Sequence, residues 1–164
     1  MIAGLVLALL LGGCGGSGGG SHFSTRRVAG NGFSFSVPVD WKLTRSARQI
    51  SAAPSAASPE LVSVQIFRLR HPARWPRVIP DIDRVARMLT AQLRGVLRSR
   101  RTVRAAGVAA RQYEIGYERS HVPLTYRITF VLAGRREYQL SCRWLSDSPD
   151  PARTACRKLA FVLE

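Results

Sequence analysis

LTYRITFVLAGRREYQLSCRW, residues 124–144, carries the reading of the fold. Leu124, Tyr126, Ile128, Phe130 and Leu132 recur at every second position, with Arg127 and Thr129 between them. After Ala133-Gly134-Arg135, the residues Tyr138, Leu140, Cys142 and Trp144 take up the same period. Successive side chains of a strand point to opposite faces, so this pattern predicts two half-buried antiparallel strands joined by a short turn. Upstream, Ala109, Arg111, Tyr113, Ile115 and Tyr117 alternate with Gln112, Glu114 and Glu118, which adds a third strand and makes a meander.

Working outward, Ile82, Val85, Ala86, Leu89, Leu93, Val96 and Leu97 form one apolar stripe at helical spacing, predicting a helix from Asp81 to about Arg98. Asp81 and Asp83 stand at its start and Arg98, Arg100 and Arg101 at its end, the polarity that a helix dipole favours. Before it, His71–Pro80 holds three prolines and is read as irregular, and Leu61–Leu69 is β-branched and apolar, a central strand. Gly32–Pro38 alternates apolar and small residues as a short strand, Trp41–Arg45 continues as a second, and Ser46–Pro59 reads as an exposed loop. Val103–Ala106 reads as a short strand leading to a turn at Gly107. The polar run Ser146–Pro151 ends the meander, and a last helix is expected near Ala152–Leu159. Strands, a helix, a meander and a terminal helix predict an α+β fold: an antiparallel sheet flanked by helices as an α/β/α sandwich.

At 164 residues, with 46% hydrophobic and 21% charged residues, the chain suits one folded domain, and neither wholesale disorder nor a multi-span membrane protein is indicated. Its formal charge is +15, and Lys42 and Lys158 are the only lysines among 25 basic residues. Two readings stay open: attraction to a polyanion such as lipid head groups or a wall polymer, or a compositional bias that leaves solvated arginines wherever the fold tolerates them.

Ile2–Leu11 is about ten apolar residues, which suits a signal-peptide core and falls well short of the roughly 20 needed to span a bilayer. Leu11-Gly12-Gly13-Cys14 follows and resembles the lipobox of bacterial lipoproteins. That resemblance implies cleavage before Cys14 and a diacylglyceryl group on its thiol, each buried methylene of which anchors by about 0.8 kcal/mol. Met1–Leu11 lacks the usual basic residue, which a start upstream of Met1 would explain. Gly15–Ser21 reads GGSGGGS, a flexible tether; its formal G-x-S-x-G match lacks the strand and helix that a nucleophile elbow requires. The expected division is therefore a leader at 1–13, lipidated Cys14 with a tether to residue 29, and one domain at 30–164. The expected location is the extracytoplasmic face of the cell membrane, held by lipid. With Cys14 assigned to lipid, Cys142 and Cys156 form an even pair in an exported chain and are expected to be a disulfide; two cysteines with no nearby histidine cannot supply zinc with four ligands.

Gly32–Trp41 (GFSFSVPVDW), the amphipathic helix after a proline-rich loop, the Gly107 turn into a tyrosine-bearing strand, and YQLSCRWL before a closing helix and Phe161 together resemble the PsbP-like or Mog-like sandwich family. The likeness covers roughly residues 30 to 163. It implies a curved antiparallel sheet flanked by helices, in proteins that act as binding or assembly modules and not as enzymes. No binding residue of the family maps onto a particular position here.

His22, His71 and His121 lie apart, none paired with a nucleophile or a metal-ligand spacing, so neither catalytic residues nor a metal or cofactor set is expected. Arg84, Arg87, Arg94 and Arg98 follow one another along a helical face, which either meets an anionic partner or is a solvated basic surface. In the proline-rich loop, Arg70, Arg74 and Arg77 interleave with Trp75, which either reaches a membrane interface or ligand or simply covers the helix end. The expected function is a non-catalytic binding or assembly module for a protein or anionic envelope component. The alternatives are a small-molecule or lipid carrier with an apolar pocket between sheet and helix, and, with less support, a hydrolase. Nucleic acid would suit the charge. It does not suit an exported address.

Overall fold

The hairpin read from residues 124–144 lies at the middle of a seven-stranded antiparallel sheet in the computed structural model, which describes residues 24–147, 151–157 and 160–164. Among these residues the chain runs β1 (Thr25–Gly30), β2 (Phe33–Pro38), β3 (Lys42–Arg45), β4 (Gln49–Ala53), β5 (Leu61–Arg68), α1 (Ile79–Gln92), β6 (Val96–Ala105), β7 (Val108–Arg119), β8 (Val122–Ala133), β9 (Arg136–Leu145), α2 (Pro151–Arg157) and β10 (Phe161–Leu163). The large sheet has the order β3-β4-β5-β9-β8-β7-β6, and a second sheet has the order β1-β2-β10.

Directly paired residues share a face, so the register of β8 on β9 separates the two apolar series of the hairpin: Val131 stands opposite Tyr138, and Phe130 opposite Gln139. Ile128 and Phe130 point toward α1 and pack with Tyr113, Ile82 and Ala86. Tyr138, Leu140, Cys142 and Trp144 point the other way, into a core shared with Val131, Val62 and Val64. The expectation of half-buried strands with one inward face is corrected: the centre of β8 is buried at every position from Ile128 to Val131, because something covers each side.

On one side the cover is α1. On the other it is the small sheet, whose Phe33, Phe35 and Phe161 meet Tyr138 of the large sheet; the Phe33 and Phe161 ring centroids lie 5.8 and 5.5 Å from that of Tyr138. Each fully buried aromatic of this kind contributes on the order of 2 kcal/mol of apolar transfer energy. α2 sits beside the small sheet with Ala152, Ala155 and Cys156 buried, and the Cys142–Cys156 disulfide ties it to β9. The layers are thus helix, seven-stranded sheet, and three-stranded sheet with one short helix. An α/β/α sandwich overstates the helical part, since strand β10 and the β1–β2 hairpin make most of the second outer layer.

Four element boundaries differ from the sequence reading. α1 stops at Gln92 because Arg94 takes a left-handed φ of 50° and the chain reverses at Gly95, whose N–H donates to the Thr90 carbonyl at 3.0 Å. A Cβ on Gly95 would lie 2.7 Å from the Gly116 carbonyl, so only glycine lets the chain press against β7 here. Val96 and Leu97 therefore belong to β6, and the basic residues expected at the helix end are strand residues; the last turn of α1 holds none. β4 lies inside the expected loop, its period of two carried by Ile50 and Ala52 among small residues. β1 begins at Thr25, inside the segment read as tether, and β10 forms beyond α2 by pairing Phe161 with Phe35. Residues 1–23, on which the expected leader, the expected lipidation of Cys14 and the glycine-rich run fall, lie outside the described residues.

Closing a loop of 14 residues' separation stabilises by about 3 kcal/mol in the chain-entropy account. Replacing both Cys142 and Cys156 by Ala is expected to lower unfolding free energy by about that amount in urea, and an unchanged midpoint would show that the bond adds nothing to stability.

Candidate functional site

The residues expected to form one basic helical face are dispersed. Arg84 and Arg87 are exposed on α1, with Arg84 paired to Asp81 at 3.3 Å. Arg94 occupies the turn that follows, and Arg98 is the extra residue where the β6–β7 register shifts between Leu97 and Ser99. The Arg98 guanidinium lies against Gly116, on the side of the sheet away from α1. No common surface joins the row. In the proline-rich loop Arg70, Arg74 and Arg77 are exposed, while Trp75 is half-buried and packs against the cluster beneath α1, covering the helix start. His71 is exposed, and His121 sits 3.3 Å from Glu118 with its side chain 99% exposed. No group of residues fit to hold a metal occurs among the described residues.

The cleft between α1 and the sheet, lined by Val78, Ile82, Val85, Phe130 and Leu132, has a volume of about 220 Å3. That is below the roughly 300 Å3 at which small-molecule sites begin. Beneath α1, Ile82, Ala86, Tyr113, Ile128 and Phe130 fill the interior.

A different basic feature forms at the turn end of the two sheets. A cleft of about 550 Å3 is lined by Arg48, Arg68, Arg135 and Arg136, with Asn31 and a floor of Ile66 and alanines, and holds no carboxylate. The fold builds it from four separate elements. Arg48 comes from the β3–β4 turn, and its carbonyl accepts the Ile66 N–H at 2.9 Å; the carbonyl of Arg135, in the β8–β9 turn, accepts the Leu69 N–H at 2.8 Å. Arg68 ends β5 and Arg136 begins β9, and the register sets them directly opposite each other. Like charges facing across an antiparallel pair oppose folding by about 0.2–1 kcal/mol.

Among the described residues no carboxylate lines the cleft to relieve that repulsion. Arg136 Nη1 donates to the Asn31 carbonyl at 3.4 Å and Arg135 Nη2 to the Arg70 carbonyl at 2.7 Å, while Arg48 and Arg68 make no side-chain hydrogen bond or ion pair among the described residues. Gly32, whose φ of 75° in the β1–β2 turn suits glycine, lies beside the Arg136 guanidinium. A second basic cleft, of about 390 Å3 beside the disulfide, is lined by Arg101, Arg104, Arg127 and Arg157; it differs in that Arg127 is paired with a carboxylate, while Arg104 Nη2 donates to the Gly107 carbonyl at 2.7 Å and Arg157 makes no side-chain hydrogen bond or ion pair among the described residues. Arg127 forks onto Glu114 at 2.9 and 2.5 Å and lies 5.1 Å from the centroid of the Trp144 ring, and Arg101 forks onto Gln112 Oε1 at 2.9 and 2.7 Å. The sequence reading missed the first cleft. The doublet Arg135-Arg136 beside Gly134 was visible, but its meeting with Arg68 and Arg48 needs the β5–β9 register.

One further constellation looks chemical and is structural. Asp83 of α1 accepts from the Tyr113 hydroxyl, from Arg111 Nε at 3.1 Å and from Arg100 Nη1 at 3.2 Å, which clamps the helix to β7 and β6. Burial by itself would raise its carboxyl, but the hydrogen bonds from Tyr113 and Arg111 and the charges of Arg111 and Arg100 outweigh it and hold Asp83 below the usual carboxylate range. Burial, reinforced by Asp83, pushes the Tyr113 phenol up to about 12.

No family model and no curated protein sequence matches the chain. Solved structures do. Cyanobacterial PsbP (CyanoP) from Synechocystis sp. PCC 6803 aligns over 94% of this chain and 99% of its own, with a TM-score of 0.64 at 14% identity. LpqN of Mycobacterium tuberculosis, described as involved in cell envelope biogenesis, aligns over 87% of this chain and 91% of its own, with a TM-score of 0.53 at 16% identity. A Bacteroides thetaiotaomicron protein aligns with a TM-score of 0.57 at 9% identity, and there the match spans 81% of this chain but only 45% of the other. The fold is PsbP-like, as the resemblance implied.

Asp83 has its pKa depressed in the fold, so its stabilising contribution is present above the unfolded carboxylate value of about 3.9 and is lost as pH falls through the folded one. Asp83→Asn is expected to lower stability at neutral pH by about 2 kcal/mol and to flatten the acid limb of the stability curve; an acid limb identical to that of the unaltered chain would show that the clamp carries no charge-dependent stability.

Proposed function

We propose that this chain is a lipid-anchored extracytoplasmic lipoprotein whose PsbP-like domain is a non-catalytic binding module for an anionic component of the cell envelope. The observation that carries the reading is the acid-free arginine cleft at the turn end of the sheets. Guanidinium groups left without carboxylate partners keep their charge and most of their donors for something outside the chain. The address rests on Leu11-Gly12-Gly13-Cys14 and the glycine-serine tether that follows. A disulfide between Cys142 and Cys156 suits an oxidising compartment outside the cytoplasm. Among the described residues no helix is long and apolar enough to cross a membrane. Likeness in fold to LpqN, an envelope biogenesis protein, agrees with the same setting.

The partner is met through charge in this reading, so salt weakens the contact. Two measurements check it. Fractionation of cells carrying Cys14→Ala is expected to find the protein gone from the membrane fraction, and its retention there would remove the lipoprotein assignment. Binding of the solubilised full chain to isolated envelope material is expected to fall by about tenfold when Arg48, Arg68, Arg135 and Arg136 are all changed to Gln. Equal binding by the two proteins would sink the role given to the cleft.

A further inference from the structure

We infer that the Arg48–Arg68–Arg135–Arg136 cleft is a phosphate-binding site, taking the phosphate group of an ester with a short carbon skeleton. This rests on the reading of the cleft as the site of an anionic ligand and names the chemistry of that ligand. Charge density decides between anions. Four arginines line one cleft, and two of them face each other across β5 and β9. A single carboxylate brings one charge and two acceptor oxygens, too few to offset such a group, whereas a phosphate ester brings close to two charges and three terminal oxygens that guanidinium forks engage in parallel pairs.

Preorganisation supports the same choice. The Arg48 and Arg135 backbones are fixed to β5 by the bonds from Ile66 and Leu69, and the Arg136 side chain is laid across Gly32. Arg135 and Arg136 are each held through one of five guanidinium N–H donors, to a neutral carbonyl, so their charge is undiminished. Ile66 and Ala133 supply an apolar floor between the charges, which suits a few carbons beside the phosphate. A cleft of about 550 Å3 falls within the range of small-molecule sites.

The cleft's place in the fold bears on where the phosphate comes from. The chain enters the domain at Thr25, and β1 carries it to Gly30 and Asn31 at the cleft, about 17 Å away at 3.3 Å per residue. The site thus lies at the end of the domain remote from the point where the tether from Cys14 joins.

The test uses the full chain in zwitterionic detergent micelles, titrated with inorganic phosphate, glycerol phosphate and acetate, and in parallel with phosphatidylcholine vesicles with and without phosphatidic acid, whose head group is a phosphate monoester. Saturable phosphate binding is expected, with acetate weaker by about tenfold or more. Arg68→Gln and Arg136→Gln are each expected to weaken phosphate binding by about tenfold, while Arg119→Gln on another surface leaves it unchanged. Without phosphate at low salt, Arg68→Gln is expected to raise the midpoint of thermal unfolding by about 2 °C through relief of the facing charges. Added phosphate is then expected to raise the midpoint of wild type more than that of Arg68→Gln at the same concentration. Binding of glycerol phosphate in solution assigns the site to a soluble ester; binding only to phosphatidic acid vesicles, lost in Arg68→Gln, assigns it to a lipid head group. Non-saturating phosphate uptake without Arg68-dependent vesicle binding, equal affinity for acetate, or equal weakening by Arg119→Gln overturns the inference. If envelope binding still depends on the four arginines in that case, the phosphate chemistry alone is wrong; if that dependence is absent as well, the anion-binding reading of the cleft falls with it.

Discussion

β5 and β9 are joined by hydrogen bonds from Leu61 opposite Arg143 to Arg68 opposite Arg136, and this long-range register holds the two halves of the large sheet together. It also decides which side chains become neighbours. Val62 and Val64 meet Cys142 and Leu140, so the inner face of the sheet is continuous where the small sheet and α2 lie on it. A slip of one residue would send every one of these side chains to the side of α1 and turn the polar series inward. The same register that closes the core sets two arginines face to face at its edge, so the basic cleft is a consequence of the pairing that makes the fold.

Much of the architecture was legible in local patterning, because β7, β8 and β9 alternate, β5 is β-branched and apolar, and α1 carries a strong apolar stripe. What escaped shares one cause, which is that the deciding contact is distant or the side chains are small. Val96 and Leu97 continue the stripe of α1 by coincidence; only the approach of Gly95 to Gly116 shows that the helix has already ended. Ser51, Ala52 and Ala53 carry no strong signal, and β4 is a strand because β3 and β5 flank it. Among the functional residues, arginine rows were sought along a helix, where spacing is easily read, and the row proved to straddle a helix, a turn and a bulged strand. Arg48, Arg68, Arg135 and Arg136 come together from two turns and two strand ends, a juxtaposition that no window of sequence contains.

The arginines of this chain serve different physical ends despite their common charge. Arg100, Arg111 and Arg127 are absorbed by Asp83 and Glu114 and act as struts between elements. Arg26 and Arg45 hold backbone carbonyls at Trp41 and Ala29 and thereby stitch the small sheet to the strands beside it. Those lining the cleft at the turn end are neither neutralised nor needed to hold helices in place, and it is this surplus that separates a surface able to recognise an anion from one that is merely basic.

The three-stranded sheet draws on both extremes of the domain. β2 lies between β1, its immediate predecessor, and β10, which follows every other element, and Arg27 of β1 reaches Glu164 at 3.0 Å. A chain made from its N-terminus onward therefore leaves Phe35 and the rings around it without their last partner until Phe161 emerges. The β1–β2 hairpin alone is too small to hold in water. Completion of this layer is a late event in folding, governed by the slow closure of a very long loop rather than by the quick hairpins of the meander. Until then the inner face of the large sheet stands open to solvent, the kind of transiently bared apolar surface through which folding chains associate wrongly.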